Sequence, residues 1–224
     1  MAVGLLLLTF LAFAIIDWLL SYRHAPRIAK EAVPAAPPAP FLTPAVVDGF
    51  QVPEGLRYHL GHTWLYRERK NVARVGVDEF GASLAGHIES IELPRPGTWI
   101  RQGQKAWSFV RNGETVEMVS PTEGEVTEIN QELLQNPALL RNDPYGKGWL
   151  LTVHVPDEES TTRNLLPKNM VGAWMRQSVE KLYGLQPRLA GLAAADGGRP
   201  VDDLLSEVPN AEWKAIASDF FLTC

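Results

Sequence analysis

Residues 107–121 read Trp107-Ser108-Phe109-Val110-Arg111-Asn112-Gly113-Glu114-Thr115-Val116-Glu117-Met118-Val119-Ser120-Pro121. Two β-prone runs flank Asn112-Gly113, and an Asn-Gly pair between such runs is the strongest short signal for a two-residue hairpin. The stretch therefore predicts strands over 106–110 and 115–119 with an exposed tip at Asn112-Gly113. Arg111 and Glu114 flank the tip. They are positioned to pair across the strands, for a few tenths of a kcal/mol.

Working outward, the pattern holds from residue 58 to residue 155. Short β-prone runs alternate with Gly and Pro punctuation, as in an all-β sandwich or barrel. Strands are expected over 72–77, 87–93, 125–129 and 149–155, with Ile88, Ser90 and Glu92 on one side of a pleat. Short helical turns are expected over 78–84 and 131–135. Pro121 with Gly124, and Asp143-Pro144-Tyr145-Gly146, read as turns. Trp64, Trp99, Trp107 and Trp149 are expected to supply apolar area to a thin sandwich.

Several motifs in this region run in order. They are Tyr58-His59-Leu60-Gly61-His62-Thr63-Trp64, Val75-Gly76-Val77-Asp78-Glu79-Phe80, Leu84-Ala85-Gly86-His87-Ile88 and Glu92-Leu93-Pro94. Ser120-Pro121-Thr122-Glu123-Gly124-Glu125-Val126 and Asn142-Asp143-Pro144-Tyr145-Gly146-Lys147-Gly148-Trp149-Leu150 follow. Together they resemble the glycine cleavage H protein, a carrier of the lipoyl type. The resemblance implies a mainly β fold, an H-protein-like barrel-sandwich hybrid, with a helix after the last strand. It also implies a lipoylated lysine at the tip of an exposed hairpin. Counted back from Ser120-Pro121, that position is Gly113. Glycine carries no amine, and the nearest lysine, Lys105, precedes the strand leading to the tip. Lipoate is therefore expected to be absent, with Gly113 a degenerate lipoyl position. The tip itself reads either as a docking knob or as a solvated turn.

The chain of 224 residues is 46% hydrophobic and 21% charged, which allows a packed core, and its net charge is −5. No long basic stripe is present, which argues against nucleic acid as a partner. The single cysteine, Cys224, excludes a disulfide within the chain and reads as an incidental thiol. His59 and His62 lie three apart with no further ligand nearby in sequence, so no metal site is expected. The resemblance implies that His62 is a fold residue, and His87 and His154 fall in expected strands. Ser120 lacks a nucleophile-elbow context, and no phosphate loop is present. No catalytic residues are expected, and the chain does not read as an enzyme.

Residues 1–22 are expected to form a transmembrane anchor. Residues 2–20 are apolar except at Gly4, Thr9 and Asp17, and as a helix span about 28 Å, close to a bilayer core. No Lys or Arg precedes the run, as a cleaved signal would want. Arg23, Arg27 and Lys30 follow it, so the positive-inside rule places the remainder in the cytoplasm, on the inner membrane. Asp17 either reaches headgroup water or pairs with another membrane helix. Residues 23–52, with Pro26, Pro34, Pro37, Pro38, Pro40 and Pro44, read as a semi-rigid tether. Residues 53–160 are the H-protein-like domain and 161–224 a helical extension. In that extension Val171, Trp174, Met175, Val179, Leu182 and Tyr183 share one face of a helix over 169–183. Residues 190–200 read as a link. A last helix starting at Asn210 carries Trp213, Ile216, Ala217, Phe220 and Phe221 as its stripe. This helix either packs back on the domain or enters a partner's groove.

These readings converge on a non-catalytic adaptor or accessory subunit at the cytoplasmic face of a membrane, working with protein subunits of a redox or one-carbon complex. Arg111, Asn112, Glu114, Trp213, Phe220 and Phe221 are its candidate partner contacts. The alternative is a genuine carrier passing an aminomethyl group on a lipoyl arm. A third possibility is a small-molecule sensor using the sandwich face.

Overall fold

A computed structural model describes residues 44–185, 203–205 and 212–223. The expected membrane anchor with Asp17, the link over 190–200, Asn210 and Cys224 lie outside the described residues. Among the described residues, no helix is long and apolar enough to cross a membrane.

Strands β1 (Pro44–Val47) and β2 (Phe50–Pro53) make a two-stranded antiparallel sheet. All of this hairpin but Pro53 falls inside the stretch 23–52 read as tether, so an extended spacer does not describe residues 44–52. Pairing of the strands and burial of Phe50 and Val52 hold the segment on the domain.

Six strands build the main sheet: β3 (Arg57–His59), β4 (Thr63–Arg69), β5 (Val72–Val77), β7 (Trp99–Ile100), β10 (Gly124–Ile129) and β11 (Leu151–His154). Their order across it is β3-β4-β5-β11-β10-β7. A smaller sheet contains β6 (Ser90–Glu92), β8 (Lys105–Arg111) and β9 (Glu114–Val119), in that order. Between β5 and β6 runs helix α1 (Glu79–Ala85), started by Asp78, whose carboxylate accepts from Gly81 N at 2.7 Å. Helices α2 (Gln131–Gln135) and α3 (Leu139–Asn142) connect β10 to β11. Asn130 caps α2 by accepting from Leu133 N at 3.1 Å. Its amide donates to the carbonyls of Lys147 and Trp149, both at 2.8 Å, fixing the loop ahead of β11. Helix α4 (Glu158–Arg163), a 3-10 turn (Lys168–Met170) and α5 (Val171–Leu185) follow, and α6 (Trp213–Phe220) closes the described chain.

Trp64 sits at the core, 1% exposed. Its register partner on β5 is Gly76, and a Cβ there would run into the indole ring, so only glycine fits. The indole N–H donates to the carbonyls of Val77 at 2.9 Å and Pro144 at 3.2 Å, tying β5 to the Asp143–Gly146 turn. His62 is buried between Phe80 and Trp174, with ring centroids 4.5 and 4.6 Å away, and its Nδ1 lies 3.0 Å from the Asp78 carboxylate. This histidine holds α1 and α5 on one another.

Three expectations differ. Trp99 is 50% exposed, because β7 is a two-residue edge strand and the indole faces outward. The strand expected over 87–93 is only Ser90–Glu92, with Ile91 turned inward and Ser90 and Glu92 outward. His87 precedes it with an exposed side chain, and its backbone N–H donates to the Asp203 carboxylate at 3.3 Å. Trp149 is partly buried, covered on one side by the Arg74 guanidinium 4.7 Å from its ring.

Candidate functional site: the β8–β9 hairpin and the tail beside it

The hairpin alternates as its sequence requires. Trp107, Phe109, Val116 and Met118 are buried, while Asn112, Gly113, Glu114 and Thr115 are exposed. Register pairs Arg111 with Glu114 and Val110 with Thr115, leaving two residues in the turn. Asn112 has φ 51° and Gly113 φ 76°, the two positive values that a type I′ turn needs. A Cβ on Gly113 would meet nothing within 4 Å, so the tip projects into open space. Asn112 N donates to the Glu89 carboxylate at 3.0 Å, bracing the tip against the segment before β6.

Arg111 turns away from Glu114. Its Nη2 lies 2.9 Å from Asp203 Oδ2, its Nη1 3.1 Å from Asp203 Oδ1, and Nη1 also donates to the Ala85 carbonyl at 3.2 Å. The expected pair across the turn is replaced by a two-pronged contact with a carboxylate 92 residues away, because that carboxylate is buried and Glu114 is solvated. His87 Nδ1 sits 3.1 Å from the same carboxylate, and Arg141 Nη1 lies 3.0 Å from His87 Nε2. Burial pushes the Asp203 carboxyl up, but the hydrogen bond from His87 and the Arg111 guanidinium outweigh it and hold the group below the usual carboxylate range.

The last helix packs back on the domain. Trp213, Phe220 and Phe221 are buried and make internal contacts. The Trp213 indole donates to the Leu84 carbonyl at 3.3 Å, and its ring lies 5.8 Å from the Arg111 guanidinium. Phe220 stacks obliquely on Phe80 at 5.3 Å, and Phe221 meets Phe109 edge-on at 6.5 Å. Lys181 of α5 pairs with Asp219 at 2.6 Å, and Thr223 Oγ1 donates to the Glu117 carbonyl of β9 at 3.1 Å. Of the six candidate partner contacts, the structure leaves Asn112 and Glu114 exposed and gathers Arg111, Trp213, Phe220 and Phe221 into one internal junction. Asp203 is the member of that junction that sequence reasoning missed, and nothing local in the sequence signals it.

Lys105 lies at the far end of β8 from the tip, paired with Glu117 at 2.5 Å. Among the described residues, no group of three or more His, Cys, Asp or Glu is placed to hold a metal ion. His59 Nδ1 accepts from Gly61 N at 3.1 Å, and burial, then the neighbouring His62, lower its pKa. A cavity of about 410 Å³ opens between the β1–β2 hairpin and the start of α5, with Val47, Val52, Leu56, Tyr58 and Val171 in its wall and Lys168 beside it. The Tyr58 phenol donates to the Pro53 carbonyl at 3.0 Å; burial first, and then Asp78, raise its pKa far above the usual tyrosine value.

Residues 56–178 match the family described as Glycine cleavage H-protein, more than half of the chain. A glycine cleavage system H protein of Mycobacterium leprae is 36% identical over 107 residues, covering 47% of this chain and 80% of that protein. A probable glycine cleavage system H protein of Haloarcula marismortui is 37% identical over 119 residues, covering 53% of this chain and 92% of that protein. Among solved structures, the glycine cleavage system H protein of Mycobacterium marinum is 22% identical with a TM-score of 0.48, covering 56% of this chain and 98% of that one. The H-protein family is one of carriers and not of catalysts, in line with the expectation that this chain is not an enzyme. By the family match and by its identity to the Mycobacterium leprae and Haloarcula marismortui proteins, the chain belongs to the glycine cleavage H-protein family.

Proposed function

We propose that this chain is a non-lipoylated family member serving as an adaptor or accessory subunit, tethered to the cytoplasmic face of the inner membrane beside a redox or one-carbon complex. The observation that carries the reading is the hairpin tip. Where the family resemblance places the lipoyl lysine stands Gly113, in a turn whose positive φ favours glycine. A lipoyl amide needs an amine. Asn112, Gly113 and Glu114 offer none, and Lys105 is at the other end of the strand, so the residues present do not fit the group. Support for the anchor is the apolar run over 2–20 followed by Arg23, Arg27 and Lys30.

The test is the intact mass of the chain purified from its native membranes, with identification of what co-purifies in mild detergent. An unmodified mass and stoichiometric membrane oxidoreductase or one-carbon subunits are expected. A lipoyl adduct on the chain would overturn the reading.

The second reading is a working carrier inside the glycine cleavage assembly, favoured by the 36–37% identity to proteins named for that system. Recovery of this chain with the decarboxylase and aminomethyl-transfer enzymes, together with a lipoyl mass, is its signature.

A further inference from the structure

The tail, residues 203–205 and 212–223, lies beyond the family match, which ends at residue 178. It covers an apolar face built from α1, β8 and β9, with Phe220 on Phe80, Phe221 on Phe109 and the Trp213 indole on the Leu84 carbonyl. Without the tail, Arg111 would lose its two-pronged Asp203 partner at the edge of that face, near the exposed tip. Apolar patches rimmed by charge mark protein-interaction sites. The tail meets this face in the manner of an interface: a few aromatic anchors, Trp213, Phe220 and Phe221, and one arginine paired with one carboxylate. Its helix has eight residues, too few to be stable alone, so its order derives from the face it rests on.

We infer that the α1/β8–β9 face is a reversible protein-docking surface, occupied in the free chain by its own tail. The partner that fits is a protein presenting a short amphipathic helix with Trp and Phe on one side, preceded by a carboxylate for Arg111. The Arg111 guanidinium and the His87 imidazole meet that carboxylate position, with the Arg141 guanidinium against the His87 ring, so an acidic segment is favoured and a basic one repelled. The tail is the internal competitor, and its tether gives it a high effective concentration that a partner must overcome. This deepens the adaptor reading and rests on it for the purpose of the surface. Tail exchange is measured independently of lipoate and of co-purifying subunits, so either idea can fail alone.

The experiment inserts a specific protease site between Asp196 and Gly197 of the full chain, cuts the folded protein, and adds a fluorescent peptide of residues 203–223. The peptide is expected to replace the cut tail within hours and to bind the uncut chain at least about tenfold more weakly. A peptide carrying Trp213→Ala is expected to bind at least about tenfold more weakly than the parent. A cut tail that does not exchange over a day, and whose amides exchange hydrogen only with those of β4 and β5, would make it part of the core and overturn the inference. Trp213→Ala in the uncut chain gives a second reading. Faster amide exchange confined to the tail supports the inference, and loss of protection throughout β4 and β5 overturns it.

Discussion

Arg111 on the last position of β8 and Asp203 in the tail form a two-pronged pair, with Nη2–Oδ2 at 2.9 Å and Nη1–Oδ1 at 3.1 Å. Both side chains are largely buried, so removing one charge strands the other. Asp203→Asn is expected to weaken tail attachment by about 1–3 kcal/mol. Hydrogen exchange should show faster opening of residues 212–223 with β4 and β5 unchanged.

The same carboxyl sets an acid limit. Its folded pKa is lowered, so the unfolded state binds more protons between the folded value and about 3.9. Its contribution is fully present above pH about 4 and is lost as pH falls through the folded pKa. His59, also lowered, acts in a higher window: protonation favours the unfolded chain as pH drops below about 6.5. Urea midpoints are expected to decline on acidification from pH 7, and His59→Gln to flatten the upper part of that decline.

Gly113→Lys meets open space but an unfavourable φ. The substitution is expected to lower stability by roughly 1–2 kcal/mol. Co-expression with a lipoate ligase tests the tip chemically. The parent chain should keep its unmodified mass, and restoring the lysine should be unnecessary for native function in a complementation assay.

Gly76→Ala drives a methyl into the edge of the Trp64 indole that carries its N–H, the group the Val77 and Pro144 carbonyls hold in place. Overpacking there is expected to cost about 1–3 kcal/mol. A lowered urea midpoint with a changed tryptophan emission would register it.

Much of this was legible because local signals agreed. Asn112-Gly113 between alternating runs predicts a two-residue hairpin, and both φ values are positive, as in a type I′ turn. The helical turns expected near 78–84 and 131–135 form, each started by the side chain before it, Asp78 or Asn130. The β1–β2 hairpin was legible too. Asp48-Gly49 is a hairpin dipeptide, but the prolines up to Pro44 drew the reading toward a spacer. Arg111 was beyond reach, since Glu114 is its neighbour across the turn and Asp203 is distant in sequence. Whether the aromatic stripe of the last helix would face its own domain depended on an apolar face assembled from three separate elements.

The β1–β2 hairpin also has a mechanical meaning. Register Pro44↔Pro53 puts the chain's entry at the open end of the pair, so a pull on the residues ahead of Pro44 acts across the ladder. The pairs then open in succession, from Pro44↔Pro53 toward Val47↔Phe50, each step needing little force. Such a pull is expected to peel and lengthen the hairpin at a force below that needed to open the six-stranded sheet behind it.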